Sequence, residues 1–281
     1  MKLISGLSVR IVPHVFNMRY RLARWTRKSR FFGSIVRKTM FDGDEMVVLP
    51  KDEAVTTRDL ELNIEVDQPG ERTVLPSDVV KEMIMRADDI FIMDFCLCRK
   101  SNGCKDYPKE RGCIFLGKGT RKISEKHGHL ATKEEAVAYI DECSELGLVH
   151  IIGRNKLDSL WLGTGRKKDL MTICNCCPCC CLWNMVRDIS KDISDCYRRM
   201  DGVTITTDSE RCAGCGSCAE ICFTRAITIR DGKASVDDTR CRCCGRCVER
   251  CSFDAIRIDY DPAKVGTEIE RISELVNLTS E

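Results

Sequence analysis

Cysteine is the residue type in this sequence that most clearly predicts chemistry. The chain has 281 residues and 21 cysteines, a share far above ordinary usage for a protein of this length. Cysteine thiolates are strong ligands for soft metal centres such as zinc and iron. Nineteen of the cysteines fall into four groups. These groups are Cys96, Cys98, Cys104 and Cys113; Cys174, Cys176, Cys177, Cys179, Cys180 and Cys181; Cys212, Cys215, Cys218 and Cys222; and Cys241, Cys243, Cys244, Cys247 and Cys251.

Disulfide bonds do not explain these cysteines. Their number is odd, and several are adjacent, as at Cys176 and Cys177, where unstrained bridges are hard to close. The first residues show no apolar stretch followed by a cleavage site, so we expect a reduced, cytoplasmic compartment. No apolar run approaches the roughly 18 residues that a spanning helix needs. We therefore expect a protein that does not cross a membrane, with peripheral association as the open alternative.

The third and fourth cysteine groups are two copies of one unit of sequence. A shift of 29 residues carries Gly216 onto Gly245 and the cysteines of the third group onto four of the fourth. Each copy reads Cys-x2-Cys-x2-Cys-x3-Cys, a spacing in which a tight loop holds three corners of an iron–sulfur cube and the fourth cysteine reaches the cube of the other copy. Zinc knuckles are the alternative, but they usually place two Cys-x2-Cys pairs farther apart. Cys243 has no counterpart and is expected to be a small buried residue near a cluster.

Over about residues 202–261 this pattern resembles the bacterial-type ferredoxins that carry two [4Fe-4S] clusters. The family often has proline after the fourth cysteine, whereas Phe223 and Ser252 stand there in this chain. The absence of proline changes the turn after the fourth cysteine but leaves all eight cysteine ligands of the two clusters in place. The resemblance implies one cluster on Cys212, Cys215, Cys218 and Cys251, and a second on Cys241, Cys244, Cys247 and Cys222.

The elements ahead of the first cysteine group are a helix and a strand. Ser77 precedes apolar residues at helical spacing, and residues 90–95 form a buried apolar run that leads directly into Cys96 and Cys98. Side chains at i and i+2 of an extended segment point to the same side. The sequence therefore predicts that these two thiolates face one metal centre.

A second helix and a β-meander are predicted after that. A capping box at Thr132 begins a helix that ends near Gly147 and carries Cys143 on its buried stripe. Three apolar runs separated by polar turns predict the meander. These runs are residues 148–152, 159–162 and 170–173. A helix followed by a hairpin also suits a winged-helix DNA reader, but the net charge of +2 and the lack of a strongly basic recognition helix make nucleic-acid binding the weakest alternative.

The six-cysteine group follows the last of these runs. Pro178 suits the first position of a helix, and apolar residues at helical spacing continue to Cys196, so a helix is predicted to begin at Pro178. Free amides at a helix N-terminus favour thiolates and anionic clusters. In such a helix Cys177, Cys180 and Cys181 share one face.

Both upstream cysteine groups follow predicted strands and are expected to converge on one pocket. We favour further iron–sulfur clusters there, because thiolate ligation already explains the neighbouring unit; structural zinc is the alternative, and the ligand set stays open. The ten candidate ligands are Cys96, Cys98, Cys104, Cys113, Cys174, Cys176, Cys177, Cys179, Cys180 and Cys181. As a whole, residues 75–261 resemble uncharacterised archaeal and bacterial iron–sulfur proteins of anaerobes, through the segments at residues 95–99, 105–108 and 175–181.

The expected fold class is α+β, with five segments. Residues 1–41 hold ten lysines and arginines and no acidic residue, so they predict a basic amphipathic helix that docks on its own protein, on an anionic membrane surface or on an acidic partner. The other segments are a linker with short strands (42–74), a cysteine-rich α+β domain (75–200), a two-cluster ferredoxin fold (201–261) and a C-terminal helix (262–281).

Two functions remain open on the sequence alone. The leading hypothesis is an electron-transfer protein or oxidoreductase component, in which two [4Fe-4S] clusters pass low-potential electrons from a redox partner protein to a further cysteine-ligated centre upstream. The alternative is a maturation or binding module that carries a metal or cluster to a client. No phosphate-binding loop or nucleophile motif indicates another activity.

Overall fold

The computed structural model describes residues 16, 18–57 and 75–279, and the predictions for residues 1–15, 17, 58–74 and 280–281 lie outside this part. It is a mixed α+β structure. The strands are β1 (Glu45–Val48), β2 (Val55–Thr57), β3 (Ile90–Met93), β4 (Ile114–Leu116), β5 (Gly128–Leu130), β6 (Val149–Arg154), β7 (Met171–Cys176), β8 (Tyr197–Arg199), β9 (Val203–Thr207), β10 (Ile227–Arg230), β11 (Lys233–Val236) and β12 (Ile256–Tyr260). The α-helices are α1 (Arg19–Lys28), α2 (Arg30–Met40), α3 (Pro76–Arg86), α4 (Leu97–Ser101), α5 (Lys133–Glu145), α6 (Lys156–Leu162), α7 (Lys191–Ser194), α8 (Ser217–Ile221), α9 (Arg246–Glu249) and α10 (Ala263–Ser273).

A seven-stranded sheet organises the upstream part of the chain. Its strand order is β5-β3-β4-β7-β6-β1-β8, and the neighbours are antiparallel except for the parallel pair β1 and β8. Alternation along each strand sends neighbouring side chains to opposite faces. Ile173 of β7 therefore packs on the face covered by α3 and α5, while Cys174 and Cys176 lie on the other face with Trp183. The strand pleat thus gathers cysteines on one side of the sheet.

Strand β1 lies inside this sheet although its residues were expected in a linker with short strands. It pairs with β6 on one side and β8 on the other. Met46, Val47 and Val48 are fully buried, and β2, the next strand, adds to β12 in a different sheet. Residues 45–57 therefore tie the two parts of the chain together through backbone pairing.

Two predicted helices are confirmed. Helix α3 has Pro76 at its first position, and the backbone N–H of Leu75 donates to the Asp78 carboxylate at 2.8 Å. Helix α5 begins after Thr132, whose side chain accepts from the backbone N–H of Glu135 at 3.2 Å. Cys143 on α5 is fully buried in the core, as its position on the apolar stripe predicts.

The predicted β-meander is wrong in its middle run. Residues 159–162 belong to helix α6, which connects β6 to β7. Asn155 accepts from the backbone N–H of Leu157 at 3.1 Å and caps the start of this helix. Gly163 ends it in the left-handed conformation at φ 67°. A cap and a C-terminal glycine thus outweigh the short apolar run, because these signals fix both ends of a helix.

The long helix predicted from Pro178 to Cys196 is also wrong. Turns follow Cys177, a 3-10 helix spans Leu182–Arg187, and the short α7 and strand β8 come next. Asn184 donates from Nδ2 to the carbonyl of Pro178 at 2.9 Å and holds the chain in this turn. The six-cysteine group therefore does not lie at the N-terminus of an α-helix, and only Cys181 caps the 3-10 helix, accepting from the backbone N–H of Trp183.

The first two described helices cover the cysteine-bearing face of the sheet. They are separated at Ser29, which is extended and accepts from the backbone N–H of Phe32. In α1, Ala23 and Thr26 are buried, and the Thr26 hydroxyl accepts from the backbone N–H of Ser190 at 3.1 Å. Helix α1 therefore docks on its own protein, which is one of the three possibilities that the sequence left open for this segment. Among the described helices, none combines the length and apolar character needed to cross a membrane.

The C-terminal unit contains two similar halves. Strands β9 and β12 pair in a three-stranded sheet with β2, and β10 pairs with β11 in a hairpin. Helix α8 follows Gly216 and helix α9 follows Gly245, and both glycines are left-handed. The 29-residue repeat of the sequence is therefore also a repeat of backbone conformation.

Candidate metal centres

The first half of the C-terminal unit forms a small pocket lined by cysteines from both copies of the repeat. Ile229 and Phe253 belong to its apolar wall. The cysteines that line it are Cys212, Cys215, Cys218 and Cys251. These are the four cysteines that the ferredoxin resemblance implies as ligands of one cluster. Cys215 is exposed at the surface, whereas Cys218 is buried.

The other four cysteines of the repeat lie deeper. Cys241 and Cys247 are buried. Burial raises the pKa of the Cys244 thiol, and the neighbouring Cys222 and Cys241 add to the rise, while the Arg246 guanidinium opposes it. Cys241, Cys244, Cys247 and Cys222 therefore lie close enough to affect one another's ionisation, as ligands of one centre must.

Backbone amides point at sulfur atoms in both halves. The N–H of Ala226 donates to Cys222 Sγ, and the N–H of Ala255 donates to Cys251 Sγ, each at 3.3 Å. Two further sulfurs, those of Cys212 and Cys241, accept from amides at 3.4 Å. Amide hydrogen bonds to ligand sulfur stabilise its negative charge and tune the potential of a cluster.

Cys243 does more than fill space beside this second set. It is buried and left-handed, at φ 48°, and occupies the position equivalent to the left-handed Gly214. Its sulfur accepts from the Arg199 guanidinium at 3.6 Å and lies 3.9 Å from Cys241 Sγ. The hydrogen bond with Cys241 and the Arg199 charge lower the pKa of Cys243. The sequence signal was the alignment of this cysteine with a turn glycine.

Four upstream cysteines form a compact group of sulfur atoms. The Sγ atoms of Cys104, Cys177, Cys179 and Cys180 all lie within 4.8 Å of one another. Cys179 Sγ is 3.6 Å from Cys104 Sγ and 3.6 Å from Cys177 Sγ. This grouping differs from the predicted shared face of Cys177, Cys180 and Cys181, because the helix that would have created that face does not form.

Another set of upstream cysteines lines a cavity of about 280 Å³ between the sheet and helices α1 and α2. Trp161, Trp183 and Phe41 contribute to its apolar wall. The lining cysteines are Cys96, Cys98, Cys113, Cys174, Cys176, Cys177 and Cys181. The two upstream groups therefore do converge, and Cys177 belongs to both the cavity and the compact group.

The cavity cysteines lie in close pairs. Cys113 Sγ is 3.8 Å from Cys174 Sγ, and Cys176 Sγ is 3.1 Å from Cys181 Sγ. The extended geometry predicted for Cys96 and Cys98 is only half right, because Cys96 is extended but Cys98 lies in the first turn of α4. An interaction with Cys98 lowers the pKa of Cys96 against the effect of burial, and the Arg99 charge contributes.

Two buried arginines, which sequence reasoning missed, lie among these centres. Arg99 is completely buried and donates to the carbonyls of Pro108 at 2.7 Å, Asn175 at 2.9 Å and Arg111. Burial opposes its charge, but Cys96 and Cys177 outweigh that cost and raise the pKa of Arg99. The sequence signal was its position beside the Cys-x-Cys pair.

Arg246 connects the C-terminal unit to the cavity. It is the first residue of α9, between Cys244 and Cys247, and its Nη2 donates to the carbonyl of Cys176 at 2.6 Å. Only 6% of the residue is exposed. A single guanidinium therefore links the second cysteine set of the repeat to the end of β7 at the cavity.

Comparison with known proteins finds a family match for the first copy of the repeat. Residues 205–228 match the family model of the 4Fe-4S binding domain. The match contains the first copy of the repeat, with Cys212, Cys215, Cys218 and Cys222. No curated protein and no solved structure matches the chain. The chain therefore carries an iron–sulfur domain that binds at least one [4Fe-4S] cluster and has a general role in electron transfer.

Proposed function

We propose that the protein relays electrons through two [4Fe-4S] clusters, one in each half of the C-terminal unit, to a third, cysteine-ligated centre in the cavity. The hydrogen bond from Arg246 to the Cys176 carbonyl carries this proposal. It joins the loop that holds Cys241, Cys244 and Cys247, here called the deeper cluster loop, to the end of β7 at the cavity. The donor sets fit this use. They are thiolates with amide donors, as iron–sulfur centres require.

The burial of the cysteines gives the relay a direction. Cys215 is exposed, so the cluster it binds lies near the surface, where a redox partner protein delivers electrons. Cys241 and Cys247 are buried, so the second cluster lies inside. From there the path continues through α9 and Arg246 to Cys176.

The cavity suits a terminal redox centre. Its mostly apolar wall excludes water and lowers the local dielectric constant, so charges inside interact strongly. The buried Arg99 cation balances the negative charge of thiolates on the cavity floor. An iron–sulfur centre there would spread an added electron over iron and sulfur, while Cys98 and Cys113 hold it against the sheet.

Metal analysis and paramagnetic resonance of the anaerobically purified chain test this proposal. The C-terminal unit alone accounts for about eight irons per chain, so we expect about twelve. Cys98→Ser is expected to remove the additional iron and one resonance signal while the signal of the paired clusters persists. Cys215→Ser should instead disturb that paired signal.

The matched control is Cys196→Ser, since Cys196 is half-buried and outside both upstream sets. It should retain all iron and every signal. An iron content near eight that Cys98→Ser leaves unchanged would remove the cavity centre from the proposal.

A further inference from the structure

The compact upstream group differs in spacing from the cysteines of the C-terminal unit. Among the described residues, the four sulfurs of Cys104, Cys177, Cys179 and Cys180 are the one set of potential ligand atoms that all lie within 4.8 Å of one another. A metal–sulfur bond of about 2.3 Å places the four sulfurs of a tetrahedral site about 3.8 Å apart. The two separations of 3.6 Å in this group match that spacing.

A cube needs a wider set of ligands. Each thiolate of a [4Fe-4S] cluster binds a different iron, so the sulfurs surround the whole cube instead of one atom. The eight cysteines of the repeat have this more open arrangement, since they do not appear in a group as compact as that of Cys104. Tetrahedral sulfur sites of the compact kind hold zinc or a single iron.

We propose that Cys104, Cys177, Cys179 and Cys180 bind one tetrahedral divalent metal ion, Zn²⁺ or Fe²⁺, separate from every cluster. Hydrogen bonds prepare these sulfurs for an ion. The backbone N–H of Cys180 donates to Cys177 Sγ at 3.3 Å. The fully buried Arg99 guanidinium donates to the Asn175 carbonyl, two residues before Cys177, and so places a positive charge beside a four-thiolate site.

The ion has a defined structural task. Cys104 follows α4, and the other three ligands follow β7, so the ion closes two loops that are 75 residues apart at Cys104 and Cys179. Asn184 holds the second loop from its other side by donating to Pro178 O. These loops follow α4 and β7 directly, and those two elements carry Cys98 and Cys176, which line the cavity. The ion therefore fixes the positions of the cavity cysteines without being part of the electron path.

Elemental analysis of the full chain, purified without added metal, tests the proposal. We expect one equivalent of zinc, or one iron in excess of the acid-labile sulfide. If the ion is zinc, X-ray absorption at the zinc edge should show four sulfur neighbours at about 2.3 Å. A single iron is recognised by its excess over the sulfide, because cluster irons also have sulfur neighbours at the iron edge.

Two ligand variants and two controls complete the test. Cys104→Ser, and Cys179→Ser at the exposed ligand, should each lose the one equivalent and keep the sulfide content. Cys113→Ser in the cavity and Cys196→Ser outside both sets should keep the equivalent. Loss of about four irons together with four sulfides from Cys179→Ser would show a cluster in this group and overturn the proposal, as would an unchanged metal content.

This result is separable from the electron-transfer proposal. Failure of the relay appears as an unchanged iron content in Cys98→Ser, whereas failure of the single-ion site appears in Cys104→Ser and Cys179→Ser. Each set of variants can fail while the other behaves as expected.

Discussion

The charge of a single residue matters most where water is excluded. Arg99 gives up its hydration entirely and regains hydrogen bonds to three backbone carbonyls and an electrostatic interaction with Cys96 and Cys177. Such a buried cation is tolerated only beside negative charge. Its position therefore argues that the neighbouring sulfurs act as thiolates, which is the form that binds metals.

Asp44 shows the opposite case, a buried carboxyl whose charge is disfavoured. Its Oδ1 accepts from the backbone N–H of Lys156 at 2.8 Å, while Oδ2 has no hydrogen-bond partner among the described residues. Burial raises the pKa of Asp44 to about 7. The folded protein thus binds a proton that the unfolded chain releases at lower pH. The stabilisation is complete below the ordinary pKa of 3.8 and is lost as the pH rises through about 7.

We predict that Asp44→Asn removes this pH dependence. Between pH 6 and pH 8 the wild type should lose about 1 kcal/mol of folding free energy through this group, which lowers the melting midpoint by about 2 °C. Asparagine cannot ionise, so the variant lacks that part of the decrease. Melting curves recorded under argon at both pH values measure it. The other titrating groups cancel in the comparison, and parallel pH profiles of the two proteins would contradict the assignment.

At the scale of elements, local sequence signals were enough to predict some helices and the repeat, whereas contacts between residues far apart in the chain determined other features. The duplicated cysteine spacing and the Thr132 cap were sufficient to predict the repeat and α5. The run at 159–162 was misread because its apolar pattern fits a strand, whereas Asn155 and Gly163 fix a helix. The grouping of Cys104 with Cys179 depends on the paths of two loops across 75 residues, which spacing along the chain does not encode.

The left-handed glycines of the repeat give an element-scale prediction. Gly245 has φ 88°, and a Cβ there would lie 2.6 Å from the Cβ of Ala54. Gly216 has φ 83° but has open space, with its nearest neighbour at 4.0 Å. Gly216→Ala should therefore cost about 1–2 kcal/mol through backbone strain alone. Gly245→Ala should cost more and release the deeper cluster, seen as a loss of up to about four irons per chain.

The control for these variants is Gly266→Ala in α10. Apart from the helix's own backbone, no atom of the described residues lies within 4 Å of a Cβ at that position, and alanine favours a helix by up to about 1 kcal/mol. Iron content and melting midpoint should match or exceed the wild type. Equal iron content in Gly245→Ala and Gly266→Ala would show that the turn does not depend on glycine.

For the whole molecule, the two parts of the chain are joined at several points around the deeper cluster loop. Strand β2 pairs with β12, and the backbone N–H of Lys51 donates to the Cys244 carbonyl at 3.4 Å. The Lys51 ammonium also forms an ion pair with Glu249 on α9. Together with Arg246, these contacts hold α9 against the upstream sheet, so the loop of the second cysteine set and the cavity keep a fixed separation.

Arg246 allows this junction to be tested through the potential of a cluster. Its buried positive charge acts on Cys244, and a nearby cation favours the reduced state, which carries one more negative charge. Arg246→Gln should therefore shift the potential of the deeper cluster to more negative values, on the order of 50 mV. The exposed Arg250, at the end of the same helix, is the control, because solvent and salt screen its charge. Redox titrations followed by paramagnetic resonance measure both variants. A shift of the cluster potential in Arg246→Gln no larger than that in Arg250→Gln would mean that the Arg246 guanidinium joins the two parts of the chain without tuning the cluster. The expected larger shift would make Arg246 an electrostatic as well as a structural link between the iron–sulfur domain and the cavity.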